Sequence, residues 1–455
     1  MSECRTRKQR GVDLTRGGLV KGIALFALPL LGSSLVQQLY NTVDLVFVGQ
    51  FLGTAASSGI GVSSLLATCL VGFFAGVSVG VNVTLARLIG ARDDERSMRT
   101  VHTATALGIG GGAAVALAGI LLAPLYVRWM GAPDDIVPDA LTYMRIYFIG
   151  VFFLVVYDMC SGVMRAAGDT ATPLVAQAVG GVANVALDAL FLLVLNGGVA
   201  GVTWATVIAQ AIAAAIVVHR LALVNAPWRL EVRKVRVHRD LVGPILSIGI
   251  PTGLQSFVIT LSNVFVQAQI NSLDTVAIGA FTAYYKVELI IYLGIVAIGQ
   301  TTTTLVAQNL GAGQPQRARR GVRTCALMGV FVAAATSIFC LALSRQLFAV
   351  MNPDPPVVDA GTSIAAVTFP FYWVYAILEV YGAAIRGHGK ATASMAVVIA
   401  NLCALRTVAL LVMMGLSPDI RSVAVCYPLT WLSTALCMVF LYRRILRKGS
   451  LQHAA

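Results

Sequence analysis

Two aspartates lie inside long apolar runs, where an ionisable side chain is costly and marks a functional hypothesis. Asp44 ends a polar series of Ser33, Gln37, Tyr40, Asn41 and Asp44, whose steps of three and four residues favour one helix face. Asp188 falls in VGGVANVALDALFLLV, four residues after Asn184, so these two also share a face. Two carboxylates and an amide looking into one dry interior resist carrying two negative charges, so they can share a proton or hold a cation. The plainer alternative is a pair of aspartates that hydrogen-bond neighbouring helices or meet water.

Other intramembrane groups carry weaker signals. Lys286 and Glu288 are two residues apart and so do not face each other on a helix; one can look into a cleft while the other meets a neighbour. Asp158 and Glu379 each precede an arginine by seven residues, Arg165 and Arg386, and read as ion-pair partners of those arginines. Arg406 and Arg145 need acidic or carbonyl partners. Pro29 and Pro251 sit within apolar runs, each a static kink or a hinge. GIGGGAAVALAG in the third run reads as a close-packing surface. No GxxxxGK[ST] or HExxH occurs, the five histidines are dispersed, and the eight cysteines form no CxxC pair. Neither an enzyme nor a metal or disulfide framework is expected.

The elements that must position these residues follow from composition. Hydrophobic residues make up 58% of the 455 and charged residues 12%, the latter about half the share of a soluble domain. Mean hydropathy is +0.82. So few charges could not cover a soluble fold, which excludes a cytosolic enzyme, a nucleic-acid-binding module and a disordered chain. Apolar runs separated by polar breaks fall at 22–48, 56–82, 101–124, 139–163, 174–196, 199–219, 243–270, 276–303, 322–347, 358–384, 395–416 and 422–442. These are twelve candidate spans, each near the roughly 20 residues that cross a bilayer. The first has no small-residue cleavage site and reads as a retained helix.

The 33 Lys and Arg against 20 Asp and Glu leave a net charge of +13, and the basic residues sort by loop. The two tails and the breaks after even-numbered helices hold 27 of them, among them Arg5, Arg7, Lys8 and Arg10; the odd breaks hold only Arg128, Arg345 and Arg421. The positive-inside rule then places both termini in the cytoplasm, in the cell's inner membrane.

The chain also repeats itself at about 221 residues. ALPLLGSS (27–34) matches GIPTGLQS (249–256), LARLIGARDDERSMRTV (85–101) matches LVAQNLGAGQPQRARRGV (305–322), and DMCSGVMRAAGDTATP (158–173) matches EVYGAAIRGHGKATAS (379–394). Six helices per half means both halves enter from the same side, related by a pseudo-two-fold axis along the membrane normal. The expected fold is an all-α integral membrane protein, twelve transmembrane helices in two pseudo-symmetric six-helix bundles around a central cleft. The expected division is a tail at 1–21, bundles at 22–219 and 243–442, a basic linker at 220–242 and a tail at 443–455. The repeat supplies an internal control: Val266 stands in the place of Asp44, and helix 11 has Asn401 and Arg406 but no acid matching Asp188. The ionic site therefore belongs to the first half.

In combination, PLLGSSLVQQLYNTVDLVFVGQFLG, LIGARDDERS, GVMRAAGDTATP, the helix-5 NxxxD and QNLGAGQPQRA resemble the multidrug and toxic compound extrusion (MATE) family, across residues 20–445. The first-half acids are similar to its DinF-type branch; the NorM-type branch draws on second-half carboxylates, including one on helix 7 that this sequence lacks. The resemblance implies a cation-coupled antiporter exporting amphipathic or cationic organic compounds, with H+ or Na+ as coupling ion and no other cofactor. It implies a cation site of Asp44, Asn184 and Asp188, with Tyr40 and Thr206 as polar neighbours. The expected substrate cavity holds Gln37, Asn41, Tyr143, Gln255, Asn263, Lys286 and Glu288, and Pro29 and Pro251 are the expected hinges. Partners are the bilayer and small organic substrates, not nucleic acid, and a monomer is expected. The alternative is a flippase for lipid-linked saccharides of the same superfamily. Such proteins carry extra helices and a basic cavity, for which only Lys286 and Arg406 are candidates here.

Overall fold

The protein is represented by a computed structural model that describes residues 11–51, 53–129 and 136–452. Arg5, Arg7, Lys8 and Arg10 of the expected first tail lie outside the described residues, as do 453–455 of the last. Among the described residues twelve helical spans are long and apolar enough to cross a membrane, as the run count predicts, and the chain is a multi-pass integral membrane protein. Among the described residues no strand forms.

The first six spans are α1 (Leu19–Phe51), α2 (Gly53–Ala91), α3 (Asp94–Trp129), α4 (Val137–Ala166), α5 (Ala171–Ala189) and α6 (Gly198–Leu223). The second six begin with α7 (Arg239–Asn271), α8 (Thr275–Gly311) and α9 (Pro315–Ala342), followed by a short α10 (Ser344–Met351). Span ten is α11 (Pro355–Thr368) with α12 (Tyr372–Gly387), span eleven is α13 (Ala391–Val398) with α14 (Arg406–Leu416), and α15 (Ile420–Gln452) is the last.

Two of the spans read as single helices are interrupted. Pro370 has no N–H to give to the ladder, and the chain tightens into a 3-10 turn at Phe369–Phe371. A π-helical turn at Ile399–Leu405 divides span eleven. Its counterpart in span five, Leu190–Val194, directly follows Asp188; such turns locally re-aim side chains and are frequent at functional sites. The repeat reaches down to backbone detail. Gly168 and Gly389 end α4 and α12 with φ of +87° and +76°, a conformation that favours glycine.

Each half lends its first helix to the other. Ile23, Phe26 and Leu30 of α1 are buried in the core of the second half, and Ile245 and Ile248 of α7 in that of the first. The two crossings are not equivalent. Gly76 and Gly80 of α2 meet Gly249 and Gly253 of α7, a small-xxx-small pair on each helix. A Cβ on Gly76 would lie 2.5 Å from Gly253 Cα, and one on Gly249 would lie 2.7 Å from the Val77 carbonyl oxygen. In the mate crossing, α8 with α1, Ala297, Thr301, Ala27 and Leu31 occupy the corresponding positions. Those positions carry side chains, so the backbones are denied the approach made at the glycine crossing. Thus α7 is clamped and α1 is not.

GVSVG (76–80) has the spacing of a hydrolase nucleophile elbow, which requires a strand–turn–helix. Here it lies mid-helix, its glycines serve the crossing, and the Ser78 hydroxyl bonds to Arg165. In α3 the glycine-rich run serves packing only in part: Gly112 and Gly119 press on Phe152 and Phe148 of α4, while Gly110 and Gly111 face open space.

Candidate functional site

A cavity of about 320 Å³ lies between the halves, walled by α1, α2, α4, α5 and α6 on one side and α7, α8 and α12 on the other. Of the residues expected in the site, Gln37, Tyr40, Asn184 and Thr206 line it. The Gln177 amide donates to the Tyr40 hydroxyl over 3.5 Å, which ties α5 to α1 at this wall.

Asp44 and Asp188 come together behind that wall. Steps of three and four along α1 keep Gln37, Tyr40 and Asp44 on the face toward α5. On α5 the four-residue step stacks Asn184 under Asp188. The two carboxyl groups are close enough to act on each other electrostatically. Asp188 is fully buried and Asn184 is 2% exposed. Ionised carboxylates only accept hydrogen bonds, so two of them in contact satisfy nothing. Asp44 Oδ1, both oxygens of Asp188, and Asn184 Oδ1 and Nδ2 are all buried without a bonding partner. Orphaned polar atoms inside a protein are rare and costly. This donor set, two carboxylates and an amide oxygen, fits one proton or one hard monovalent cation.

The other expected residues are placed elsewhere. Asn41 is exposed and donates to Gln38 over 3.4 Å; it follows Tyr40 by one residue, about 100° around the helix from it. Tyr143 stacks on Tyr147, with centroids 5.6 Å apart, and is not in the cavity wall. Thr206 lines the cavity but gives its hydroxyl to the Val202 carbonyl, 3.2 Å away. Gln255 is buried with its Oε1 unbonded, outside the cavity lining.

Glu288 lies in a polar and aromatic cluster in the second half, with Asn263 at its exposed edge. Glu288 accepts from the Tyr372 hydroxyl, which is 3.4 Å from that of Tyr284. Arg406, 5% exposed, donates to Asn263 (3.5 Å) and Thr430 (3.4 Å) and lies 4.8 Å over the Tyr427 ring. The Asn263 side-chain carbonyl thus meets the expectation of an acidic or carbonyl partner, and a hydroxyl and an aromatic ring complete the arginine's surroundings. Lys286, two residues from Glu288 and so on another face, is exposed and lines no part of the cavity. Pro29 and Pro251 both sit inside unbroken helices.

At the end of the molecule that carries Leu14 and the last turns of α4 and α12, the halves close on each other. Asn82 donates to Thr304 Oγ1 at 2.9 Å, and that hydroxyl in turn lies 3.2 Å from Asn82 Oδ1. Arg87 donates to the Gly387 carbonyl at 2.9 Å, and its mate Gln308 donates to the Ala166 carbonyl, the mate of Gly387, at 2.8 Å. Each side chain caps the last turn of a helix in the opposite half. Leu14 adds a strap: its N–H reaches Gln308 Oε1 (3.3 Å) and its carbonyl accepts from Asn309 (3.1 Å) and Arg317 (3.3 Å).

The two acid–arginine pairs on the cavity floor have different fates. Arg386 pairs with Glu379 at 2.8 Å, as the spacing predicts. Arg165 instead donates to Ser78 Oγ at 2.9 Å, and among the described residues no ion pair joins it to Asp158. The latch residues and this asymmetry were missed in sequence, although the alignment of 85–101 with 305–322 already set Arg87 against Gln308.

Comparison with known proteins follows the same two-fold plan. The MatE family model matches residues 29–190 and again 251–412. A Bacillus subtilis protein described as probable multidrug resistance protein YpnP is 31% identical over 68% of this chain and 69% of its own. A Shewanella oneidensis protein described as an FAD transporter is 25% identical over 89% of this chain and 90% of its own. A solved structure of the outward-facing conformation of a MATE family multidrug resistance transporter superposes with a TM-score of 0.91 at 20% identity. It covers 98% of this chain and 99% of that one.

Proposed function

Because the chain belongs to the MatE family, we propose that it exports amphipathic or cationic organic compounds across the inner membrane in exchange for H+ or Na+, by alternating access. The observation that carries this reading is the buried Asp44–Asn184–Asp188 cluster, whose polar atoms lack partners beside the cavity wall. One proton shared by the carboxyls, or one cation held by both and by Asn184 Oδ1, supplies what is missing. Its arrival removes the repulsion between the acids and lets α1 repack. The N-half position of these acids favours DinF-type coupling.

The asymmetry of the crossings supports α1 as the responding element. Pro29 lies on the unclamped helix, whereas Pro251 sits between Gly249 and Gly253 on the clamped one. On the positive-inside rule the end closed by Arg87, Gln308 and Leu14 faces the cytoplasm. Cation release toward that side then accompanies opening of the latch. A bias of roughly 100-fold between two states needs only about 3 kcal/mol of differential affinity. One chain encloses the whole cavity, so a monomer suffices. The saccharide flippase is less well supported, because neither Lys286 nor Arg406 lines the cavity and Arg386, which does, is neutralised by Glu379.

The test is efflux from proteoliposomes under separately imposed proton and sodium gradients, with an organic cation and a flavin dinucleotide as cargoes. Wild type is expected to export the organic cation under at least one gradient, and Asp44→Asn and Asp188→Asn to lose that response. Export indifferent to both gradients in wild type overturns the coupling reading; export of the flavin alone overturns the cargo.

A further inference from the structure

The repeat makes a comparison that no single site offers. Asp158 and Glu379 are mates on α4 and α12, each seven residues before an arginine, and all four residues line the same cavity. Glu379 reaches Arg386; Asp158 does not reach Arg165. Two differences account for this. Aspartate is one methylene shorter. The third element also differs: Gly299 of α8 leaves a space that the Glu379 carboxylate fills, so that a Cβ there would lie 2.7 Å from its Oε1. The mate of Gly299 is Ser78 of α2, whose hydroxyl fills the corresponding space and takes the arginine for itself.

The result is a carboxylate in the cavity lining that is not hydrogen-bonded to its arginine. Asp158 is 9% exposed, and its Oδ2 is buried without a hydrogen-bond partner. A buried anion of this kind is retained at a cost unless something pairs with it. The same cavity is lined by Tyr40 and Tyr157 and by Gln37 and Gln300. The volume, about 320 Å³, falls in the range of sites for small organic ligands. With Arg386 closed on Glu379 and Arg165 turned onto Ser78, the unbonded Asp158 oxygen is a partner in this cavity that a cationic centre can use and an anion cannot, and the tyrosines of the lining suit an organic cation.

We propose that Asp158 is the cargo-anchoring carboxylate, distinct from the Asp44–Asp188 pair, and that it binds the cationic centre of an amphipathic organic cation on the cavity floor. The proposal rests on the export reading above and adds the residue that recognises the cargo. It also assigns the repeat mates unequal roles: Glu379 closes on Arg386 and holds the second half's wall, while Asp158 stays open for cargo.

The test uses three probes of similar shape: tetraphenylphosphonium (cationic), triphenylphosphine oxide (neutral) and tetraphenylborate (anionic). Equilibrium binding is measured on the full chain in nanodiscs. Asp158→Asn is expected to weaken the phosphonium by about tenfold or more, the worth of one charge-assisted interaction, and to leave the neutral probe unchanged. The double variant Asp158→Glu with Ser78→Gly keeps the charge but rebuilds the arrangement of the second half, so the new carboxylate pairs with Arg165. It is expected to lose the phosphonium as the asparagine variant does. Binding of the neutral probe reports that each variant is folded, and if the asparagine variant fails this control the double variant decides. Unchanged phosphonium binding, or an equal loss of cationic and neutral probes, overturns the proposal. Wild type that binds only the borate overturns the cationic cargo class, and wild type that binds no probe and exports nothing overturns the export reading and the proposal together.

Discussion

The latch formed by Arg87 and Gln308 can be removed without opening a cavity, by Arg87→Met with Gln308→Met. Methionine fills a similar volume and gives back no hydrogen bond. The change deletes three bonds across the closed end: Arg87 to the Gly387 carbonyl (2.9 Å), Gln308 to the Ala166 carbonyl (2.8 Å), and the Leu14 N–H to Gln308 (3.3 Å). Gln308 is 3% exposed, so its partners are left unpaired in the closed state but reach water once the halves part. At about 1 kcal/mol per bond the closed state loses roughly 3 kcal/mol, or about 150-fold in the equilibrium. A protein that is about 99% closed would become roughly equally divided. Pulsed electron resonance reads this directly, with spin labels at Asp94 and Gln316, exposed residues at the closed end in opposite halves. Wild type should give one short distance, and the double variant a second, longer population of comparable size. A folded variant with the wild-type distribution would refute the latch, because the residual bonds, between Asn82 and Thr304 and from Asn309 and Arg317 to Leu14, would then be carrying the closure.

Four further outcomes follow from the same geometry. Gly80→Ala puts a methyl group against the Ile245 carbonyl in the α2–α7 crossing, and should lower thermal stability in detergent by about 1–3 kcal/mol, whereas Gly110→Ala, in open space, should not. Pro29→Ala should slow export while Pro251→Ala leaves its rate nearly intact; equal effects would contradict the difference in clamping. Asp44→Asn and Asp188→Asn should each make cargo affinity insensitive to whichever coupling cation acts on wild type, since linkage is reciprocal. A cysteine at Gln314 should be labelled by an impermeant reagent from the cytoplasmic side and one within 196–198 from the outside, and reversed labelling would invert the topology.

Much of this protein was legible in one dimension. Apolar runs are long because lipid gives the backbone no partner, so span number and the alternation of basic loops could be read without any contact being known. The acids of the cluster were equally visible, because an ionisable residue inside such a run stands out whatever surrounds it. Helical periodicity then brought Tyr40 and Asp44 to one face and Asn184 and Asp188 to another, and the fold set these faces against each other. Periodicity was less exact at its margins: Asn41 drifted off its stripe, and Lys286 parted from Glu288.

Only the tertiary structure decided which of the paired motifs are alike. By spacing, Asp158–Arg165 and Glu379–Arg386 are the same motif. Whether the acid meets its arginine depends on a third residue from another helix, Ser78 in one half and Gly299 in the other, and on the reach of one methylene. The same holds for the crossings, where glycines 76, 80, 249 and 253 acquire meaning only when α2 is laid against α7. Hydrophobicity and charge are properties of a segment, and a repeat preserves them. Pairing depends on distances of a few ångströms between segments, which small exchanges such as serine for glycine can change while leaving the pattern of the sequence intact.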